Sequence, residues 1–373
     1  MRIAMLAPLT HRIPPAGYGP WERVVSDLTS GLIAAGHQVT LFAPEGSETD
    51  AELVATVPFP FADWPESELA PDQRVWEEIH IASMAEEVSA GGYDIVHSHL
   101  NVHALGFGGL LPAPMVTTLH GSAWNQAVHP ALARYRTLPF ISLSDSERSF
   151  YPGLNYVATV FNGVDCEEFR PGPGDGGFLL FAGRMAPEKQ PDAAIAVARA
   201  AHMPLKLAGM VEARYRDYFD ASVAPATKSA QIEYLGDLDR ETMTELYAKA
   251  SAVIMPLAWD EPFGLVVVES LASGTPVVGW RRGALPELVK NGVTGFIVED
   301  VPGAVSALAN LDQIDRRACR RDAEARFSVS VMTDGYVSAY GKVIFGAAEG
   351  HVISPSNSST ETVTNLTPSS AKP

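Results

Sequence analysis

Glu261 and Glu269 bracket the stretch Glu261-Pro262-Phe263-Gly264-Leu265-Val266-Val267-Val268-Glu269, with one carboxylate before an apolar run and the other inside it. Charged side chains are rarely buried without a partner, so Glu269 in that run invites a ligand. Exposed carboxylates at a helix start are the plainer alternative, because the helix dipole favours them there. Along a continuous helix, eight steps of about 1.5 Å would hold the two about 12 Å apart. Pro262 and Gly264 place Glu261 in a loop and Glu269 on the second or third turn of the following helix. Either separation exceeds the roughly 5 Å of two carboxylates acting on one glycosidic bond by double displacement. The pair is suited instead to gripping two parts of one extended polar ligand, with helix N–H groups between them offered to an anion.

Two further segments could meet such an anion. Residues 178–181 read as a strand that runs into Gly183-Arg184-Met185-Ala186-Pro187-Glu188-Lys189. There, a guanidinium and an ammonium either side of a proline turn could hold a diphosphate. Near the N-terminus, a strand over 3–6 leads to Pro14-Pro15-Ala16-Gly17-Tyr18-Gly19-Pro20, where glycines permit close backbone approach and Pro20 opens a helix. Taken singly, each has a bland reading: a solvated surface pair for the first, a tight turn for the second.

The elements that must position these residues alternate. Residues 21–35 carry apolar side chains at Trp21, Val24, Val25, Leu28, Leu32 and Ile33, a helical face that Gly36 ends. Strands are expected over 39–42, 94–97, 115–119 and 140–143, with a helix over 75–88. After Pro171-Gly172-Pro173-Gly174-Asp175-Gly176-Gly177, which reads as a linker, a second alternation begins. It has strands at 178–181, 205–207, 252–255 and 276–279 and helices at 192–201, 240–250 and 265–273. This predicts an α/β protein of two doubly wound, Rossmann-like domains facing each other across a cleft. The expected divisions are 1–168, 176–328, a helix over 329–349 packing back toward the first domain, and a Ser/Thr/Asn/Pro-rich disordered tail over 350–373. Asn357-Ser358-Ser359 and Asn365-Leu366-Thr367 in that tail match the glycosylation pattern and are read as chance.

Composition narrows the partners. The 373 residues are 46 % hydrophobic and carry a net charge of −17, which supports full cores and argues against sequence-independent nucleic-acid binding. The acidity also opposes a broad dock on anionic lipid, while leaving room for a local peripheral membrane contact. Two cysteines, Cys166 and Cys319, suit a reducing compartment. No apolar stretch has the length of a signal peptide or membrane span, so a cytoplasmic location is expected. Oligomeric state is not read from the chain.

Among other groups, His97, His99, His103 and His120 could gather at strand ends as zinc ligands, although cleft-lining roles suit them better. Asp237-Leu238-Asp239 has the DxD spacing of some metal sites, yet Asp239 before a helix reads as its cap. Ser142-Leu143-Ser144-Asp145-Ser146 reads as a polar strand exit that touches a second substrate. Tyr18, Trp21, Trp64, Trp76 and Trp124 are aromatic platforms in the first half, and Trp21 has a core role as its alternative.

Together, Gly183-Arg184 with Glu188-Lys189, Phe161-Asn162-Gly163-Val164-Asp165, Glu261-Pro262-Phe263-Gly264 with Glu269, Gly274-Thr275-Pro276-Val277-Val278, and Leu285-Pro286-Glu287-Leu288-Val289 with Gly292-Val293-Thr294-Gly295-Phe296 resemble the retaining glycosyltransferases of family 4, which have the GT-B fold. The resemblance runs in order over about residues 1–345 and is most specific in the second half. It implies transfer of a hexosyl group from a nucleoside-diphosphate sugar to an acceptor hydroxyl, with no cofactor and no metal. It implicates Arg184 and Lys189 at the diphosphate, Gly17 and Gly19 beside it, Glu261 with the Phe263 and Gly264 amides and Leu265 at the sugar, and Glu269 at the ribose. Leu238 falls where the base stacks, and His120 falls beside the sugar. A sugar-nucleotide epimerase or hydrolase and a catalytically silent binding protein are the alternatives. The donor base and sugar and the acceptor are left open.

Overall fold

The computed structural model describes residues 1–64 and 73–348. The 350–373 segment and its two Asn-x-Ser/Thr motifs lie outside the described residues. Two parallel sheets organise the chain. The first contains β1 (Arg2–Leu6), β2 (Gln38–Pro44), β3 (Glu52–Val57), β4 (Ile95–Ser98), β5 (Met115–Thr118), β6 (Pro139–Ser142) and β7 (Asn155–Thr159), in the order β3-β2-β1-β4-β5-β6-β7. The second contains β8 (Leu179–Ala182), β9 (Leu205–Ala208), β10 (Ile232–Gly236), β11 (Ala252–Met255), β12 (Val277–Trp280) and β13 (Gly295–Val298), in the order β10-β9-β8-β11-β12-β13.

Both faces of the central strands are covered, and the alternation of a strand feeds two cores at once. In β1, Ile3 and Met5 enter one cluster with Val25, Leu28 and Leu41, while Ala4 and Leu6 enter another with Ile81, Met84 and Val96. The second sheet is sandwiched in the same way, Leu180 and Val253 facing one core and Leu179 and Ile254 the other.

Strand order reverses between β1 and β4 in the first sheet and between β8 and β11 in the second. Such reversals open a crevice at the carboxyl ends of the strands, since the loops on either side leave in opposite directions.

Four strands were absent from the expected pattern: β3, β7, β10 and β13. All four are sheet edges. Edge strands are half-exposed, as in the pattern of Asn155–Thr159, where no residue is fully buried, and so they lack the continuous apolar run that marks a central parallel strand.

The 171–177 stretch does join the two sheets, but it does not swing free. Its glycine amides donate to the second half, Gly172 to the Ser273 carbonyl at 3.2 Å, Gly174 to Ala248 at 3.1 Å and Gly176 to Lys249 at 3.0 Å. The Arg316 guanidinium holds the Gly172 carbonyl at 2.9 Å.

The helix Val329–Ala348 returns to the first sheet, where Met332, Tyr336, Ala339, Tyr340 and Val343 complete a core also built by β1 and the Pro20–Ala34 helix. Gly31 makes the crossing possible, because a Cβ there would stand 2.1 Å from Thr333 Oγ1. No helix among the described residues is long and apolar enough to cross a membrane.

Candidate active site

The exits of β1, β8 and β11 converge on a cleft of about 420 Å³ whose walls include Tyr18, Gly19, His120, Arg184, Lys189, Glu261, Phe263, Gly264 and Leu265. A narrower chamber of about 170 Å³ adjoins it, lined by Gly17, Leu238, Arg240, Tyr247 and Glu269. Tyr18, Gly19, Gly183 and Leu265 border both, so the two form one elongated site. Gly17, Gly19, His120, Arg184, Lys189, Leu238, Glu261, Phe263, Gly264, Leu265 and Glu269, the residues that the resemblance implicates, all line it.

The β1 exit loop enters the Pro20–Ala34 helix through Gly19, where a Cβ would meet Pro15 Cβ at 2.6 Å. Gly17 has open space apart from Asp237 Oδ2 at 3.8 Å, which leaves its backbone accessible from the chamber. Across the cleft, Gly264 at φ 112° turns the chain into the Leu265–Ala272 helix, a conformation that favours glycine. The orphan N–H groups of that helix start are therefore presented to the cleft.

Lys189 and Glu261 form an ion pair, and Trp259 Nε1 donates to the same carboxylate oxygen at 2.9 Å. The Lys189 ammonium also stands 5.1 Å from the centre of the Trp259 ring. Arg184 donates to Glu212 at 2.6 Å and to Glu188 at 3.1 Å, with its Nε buried and unpartnered. Burial works against the Arg184 charge, but Glu212, Tyr18 and Glu188 together outweigh it and hold the guanidinium above its ordinary pKa. Both cations are thus neutralised by the protein's own carboxylates, which an anionic ligand would replace.

Glu269, on the second turn of its helix, is enclosed. Tyr247 donates its hydroxyl to Oε2 at 2.9 Å, and Arg240 reaches Oε1 at 3.5 Å while its Nε bonds Glu168 at 2.5 Å. Burial raises the Glu269 carboxyl above the usual range, with Arg240 and the Tyr247 hydroxyl pulling the other way. Protein groups therefore account for its burial, so burial alone does not require a ligand, as the sequence had suggested. Asp239 caps the Arg240–Lys249 helix, its Oδ1 accepting from the Thr242 amide at 2.8 Å.

The histidines divide. His120, at φ 45°, is buried at the cleft wall under Trp21, whose ring is stacked at 5.9 Å. Its Nε2 hydrogen-bonds His99 Nδ1 at 2.7 Å and its Nδ1 has no protein partner. Burial pushes its pKa down to about 3, so the ring is a neutral hydrogen-bonding group. His97 cannot serve zinc as the sequence allowed, because Thr118 occupies one ring nitrogen at 2.9 Å and Tyr340 the other at 2.7 Å. His103 pairs with Glu77 instead, at 2.8 Å. Among the described residues, no group of three His, Cys, Asp or Glu side chains could hold a metal ion.

The 142–146 run is also corrected. Ser144 donates to the Pro262 carbonyl at 2.6 Å, and the Asp145 and Ser146 amides donate to Glu287 at 2.9 and 2.8 Å. It latches the two halves together and is spent on that contact. Trp21 is a cleft residue, 39 % exposed, and not part of the core. Sequence reading missed Arg240, Tyr247, Trp259 and Glu212, which meet the expected residues only through the fold. It also missed Glu147, a buried carboxylate that accepts the Leu143 amide at 2.6 Å and the Gly121 amide, fixing the backbone beside His120.

Comparison with known proteins agrees with this geometry. Residues 21–168 match the model of Glycosyltransferase Family 4, and residues 167–314 match that of Glycosyl transferases group 1. The chain belongs to glycosyltransferase family 4. Its two facing sheets are the GT-B fold of that family. This family 4 glycosyltransferase is 28 % identical to the glycogen synthase of Mycobacterium tuberculosis over 386 residues, covering 87 % of this chain and 89 % of that protein. Among solved structures it is similar to AviGT4, a glycosyltransferase involved in avilamycin A biosynthesis, with a TM-score of 0.70, 26 % identity, and 93 % and 98 % of the two chains covered. It shares its fold with Anabaena HepE, solved in complex with UDP and glucose, with a TM-score of 0.68, 19 % identity, and 92 % and 100 % covered.

Proposed function

We propose that this glycosyltransferase moves a hexosyl group from a nucleoside-diphosphate sugar to an acceptor hydroxyl, with retention at the anomeric carbon and without a metal ion. The observation that carries the reading is the convergence of Arg184, Lys189 and Glu261 on one cleft, beside the glycine loop of the opposite sheet. The diphosphate displaces Glu188, Glu212 and Glu261 from the two cations, which stabilise the charge growing on the leaving group. The Gly17 and Gly19 backbone lies against the diphosphate. The sugar is held by Glu261, once released from Lys189, and by the Phe263, Gly264 and Leu265 backbone. In the narrower chamber, Glu269 takes the ribose hydroxyls and Leu238 packs on the base. UDP and glucose bound to HepE, a protein of the same fold, support a donor of this class.

Transfer breaks the bond from the anomeric carbon to the diphosphate and forms one to the acceptor oxygen on the same face. The acceptor proton passes to a diphosphate oxygen, and His120 donates a hydrogen bond to the sugar as a neutral ring. The second half of the chain binds the donor and the first half the acceptor, in the cytoplasm. A panel of nucleotide sugars screened for thermal stabilisation identifies the donor, since a ligand that binds only the folded chain raises Tm. Product NMR then reads the anomeric configuration, and a chelator leaves the rate unchanged. An inverted product would end the retaining assignment. Donor consumption without any acceptor would mark an epimerase or hydrolase instead.

A further inference from the structure

A second cavity, of about 480 Å³, lies on the first-sheet side of the cleft and is walled by the exits of β1 and β4, the strands between which that sheet reverses order. Thr10 and Trp21 line both this cavity and the donor cleft, so the two chambers share a wall. His99 on one side and His120 on the other are joined through it by their 2.7 Å hydrogen bond.

The cavity carries unmet polar capacity. His99 Nε2 and Asn101 Oδ1 are buried without a hydrogen-bond partner. Such groups lose free energy unless a ligand or an ordered water completes them. Asn101 sits at φ 54°, a left-handed conformation that asparagine adopts more readily than most residues. No lysine or arginine is among the described residues that line the cavity. The one carboxylate among those described lining residues, Glu77, pairs with His103 at 2.8 Å. Arg12, next to the lining Thr10 in sequence, is bound to Asp63 at 2.7 Å.

From this we infer that the cavity is the acceptor pocket and that it takes an uncharged polyhydroxyl ring, a sugar or cyclitol without a phosphate. The inference rests on the proposed transfer reaction and names the substrate class of its second site. Asn101 Oδ1 is an acceptor without a partner and calls for a donor, and the Glu77 carboxylate, paired with His103 through one oxygen, can accept another. A hydroxyl supplies one, whereas a phosphate dianion supplies none and would be desolvated beside Glu77 with no lysine or arginine among the described lining residues to meet it. The Trp21 and Phe61 rings offer apolar faces to the C–H surface of a sugar ring.

The test measures transfer by the full chain, with the donor found by thermal screening, to matched acceptors: glucose and glucose 6-phosphate, mannose and mannose 6-phosphate, myo-inositol and its 1-phosphate. Maltotetraose serves as a longer uncharged member. The expected result is turnover of an uncharged acceptor, with kcat/KM at least about tenfold above its phosphorylated partner. Asn101→Gly, which suits the left-handed backbone, and Glu77→Gln should each raise the acceptor KM about tenfold while leaving the donor KM and donor-induced Tm shift unchanged. Preference for a phosphorylated member, or an unmoved acceptor KM in both variants, overturns the inference. So does the absence of transfer to every uncharged member by protein that still binds the donor, an outcome that leaves the donor-site reading intact. If no nucleotide sugar binds at all, the donor reading fails and this inference falls with it.

Discussion

Lys189 and Glu261, 72 residues apart in sequence, are bonded to each other in the cleft, the Glu261 carboxylate also holding the Trp259 indole. Under the proposed reaction this pair would be half of a switch, with the lysine released for phosphate and the glutamate released for sugar hydroxyls by the same event. Lys189→Ala and Glu261→Ala should each lower kcat/KM by about 10²–10³-fold. Each should also lose about 1–3 kcal/mol of stability, because a partly buried charge is stranded, and the double variant should recover much of that loss without recovering activity. Parallel kinetics and denaturant unfolding check this. Near-full activity in either single variant would remove the pair from the reaction.

His120 is neutral across the physiological range, since burial holds its pKa at about 3. Replacing it with Asn, which tolerates the left-handed backbone, should lower kcat about 10–100-fold through the lost hydrogen bond. The pH–rate profile between pH 5 and 8 should keep its shape. Loss of a limb near 6.5 in the variant would show instead that the ring exchanges a proton during turnover.

Asp27, on the Pro20–Ala34 helix, has its carboxyl pushed up to about 7 by burial, against the pull of Arg240 and Arg23. The folded protein therefore holds this proton more tightly than the unfolded chain. The stabilisation is complete below the ordinary value of 3.8 and is lost as pH rises through 7. Asp27→Asn has no such proton to lose. Its Tm relative to the parent should climb by about 2–4 °C between pH 5 and 8. A difference that stays flat with pH would contradict the assignment.

Gly31 allows the Val329–Ala348 helix to lie against the Pro20–Ala34 helix. Gly31→Ala should destabilise by about 1–3 kcal/mol through overpacking. Thr333→Ala in the same chain should restore part of this, because the nearest clash, with Thr333 Oγ1, is removed. Thermal unfolding of the three variants decides it, and an additive loss would contradict the contact.

What could be read from the chain followed from burial. Central strands such as Ala252–Met255 are apolar throughout, so their existence and order were legible. The four edge strands were not, since their half-exposed faces leave no continuous apolar run. Arg184, Lys189, Glu261 and Glu269 stood out because their neighbours are apolar or turn-forming. Arg240 and Tyr247 did not, because within their own helix they look like any surface cation and any core aromatic, and only the fold turns them toward Glu269. The same holds for His97, whose neighbours Tyr336 and Tyr340 come from the far end of the described chain.

That last helix sets a schedule for biosynthesis. The first sheet is finished once residue 159 has emerged, yet Tyr336, Tyr340 and Val343 of its core are made only after the whole second sheet. At about 5–20 residues per second, the nascent N-terminal half waits on the order of ten seconds or more on the ribosome with an apolar face uncovered. During that interval it is a natural client for chaperones, and a stop codon before residue 329 would leave it permanently in that state.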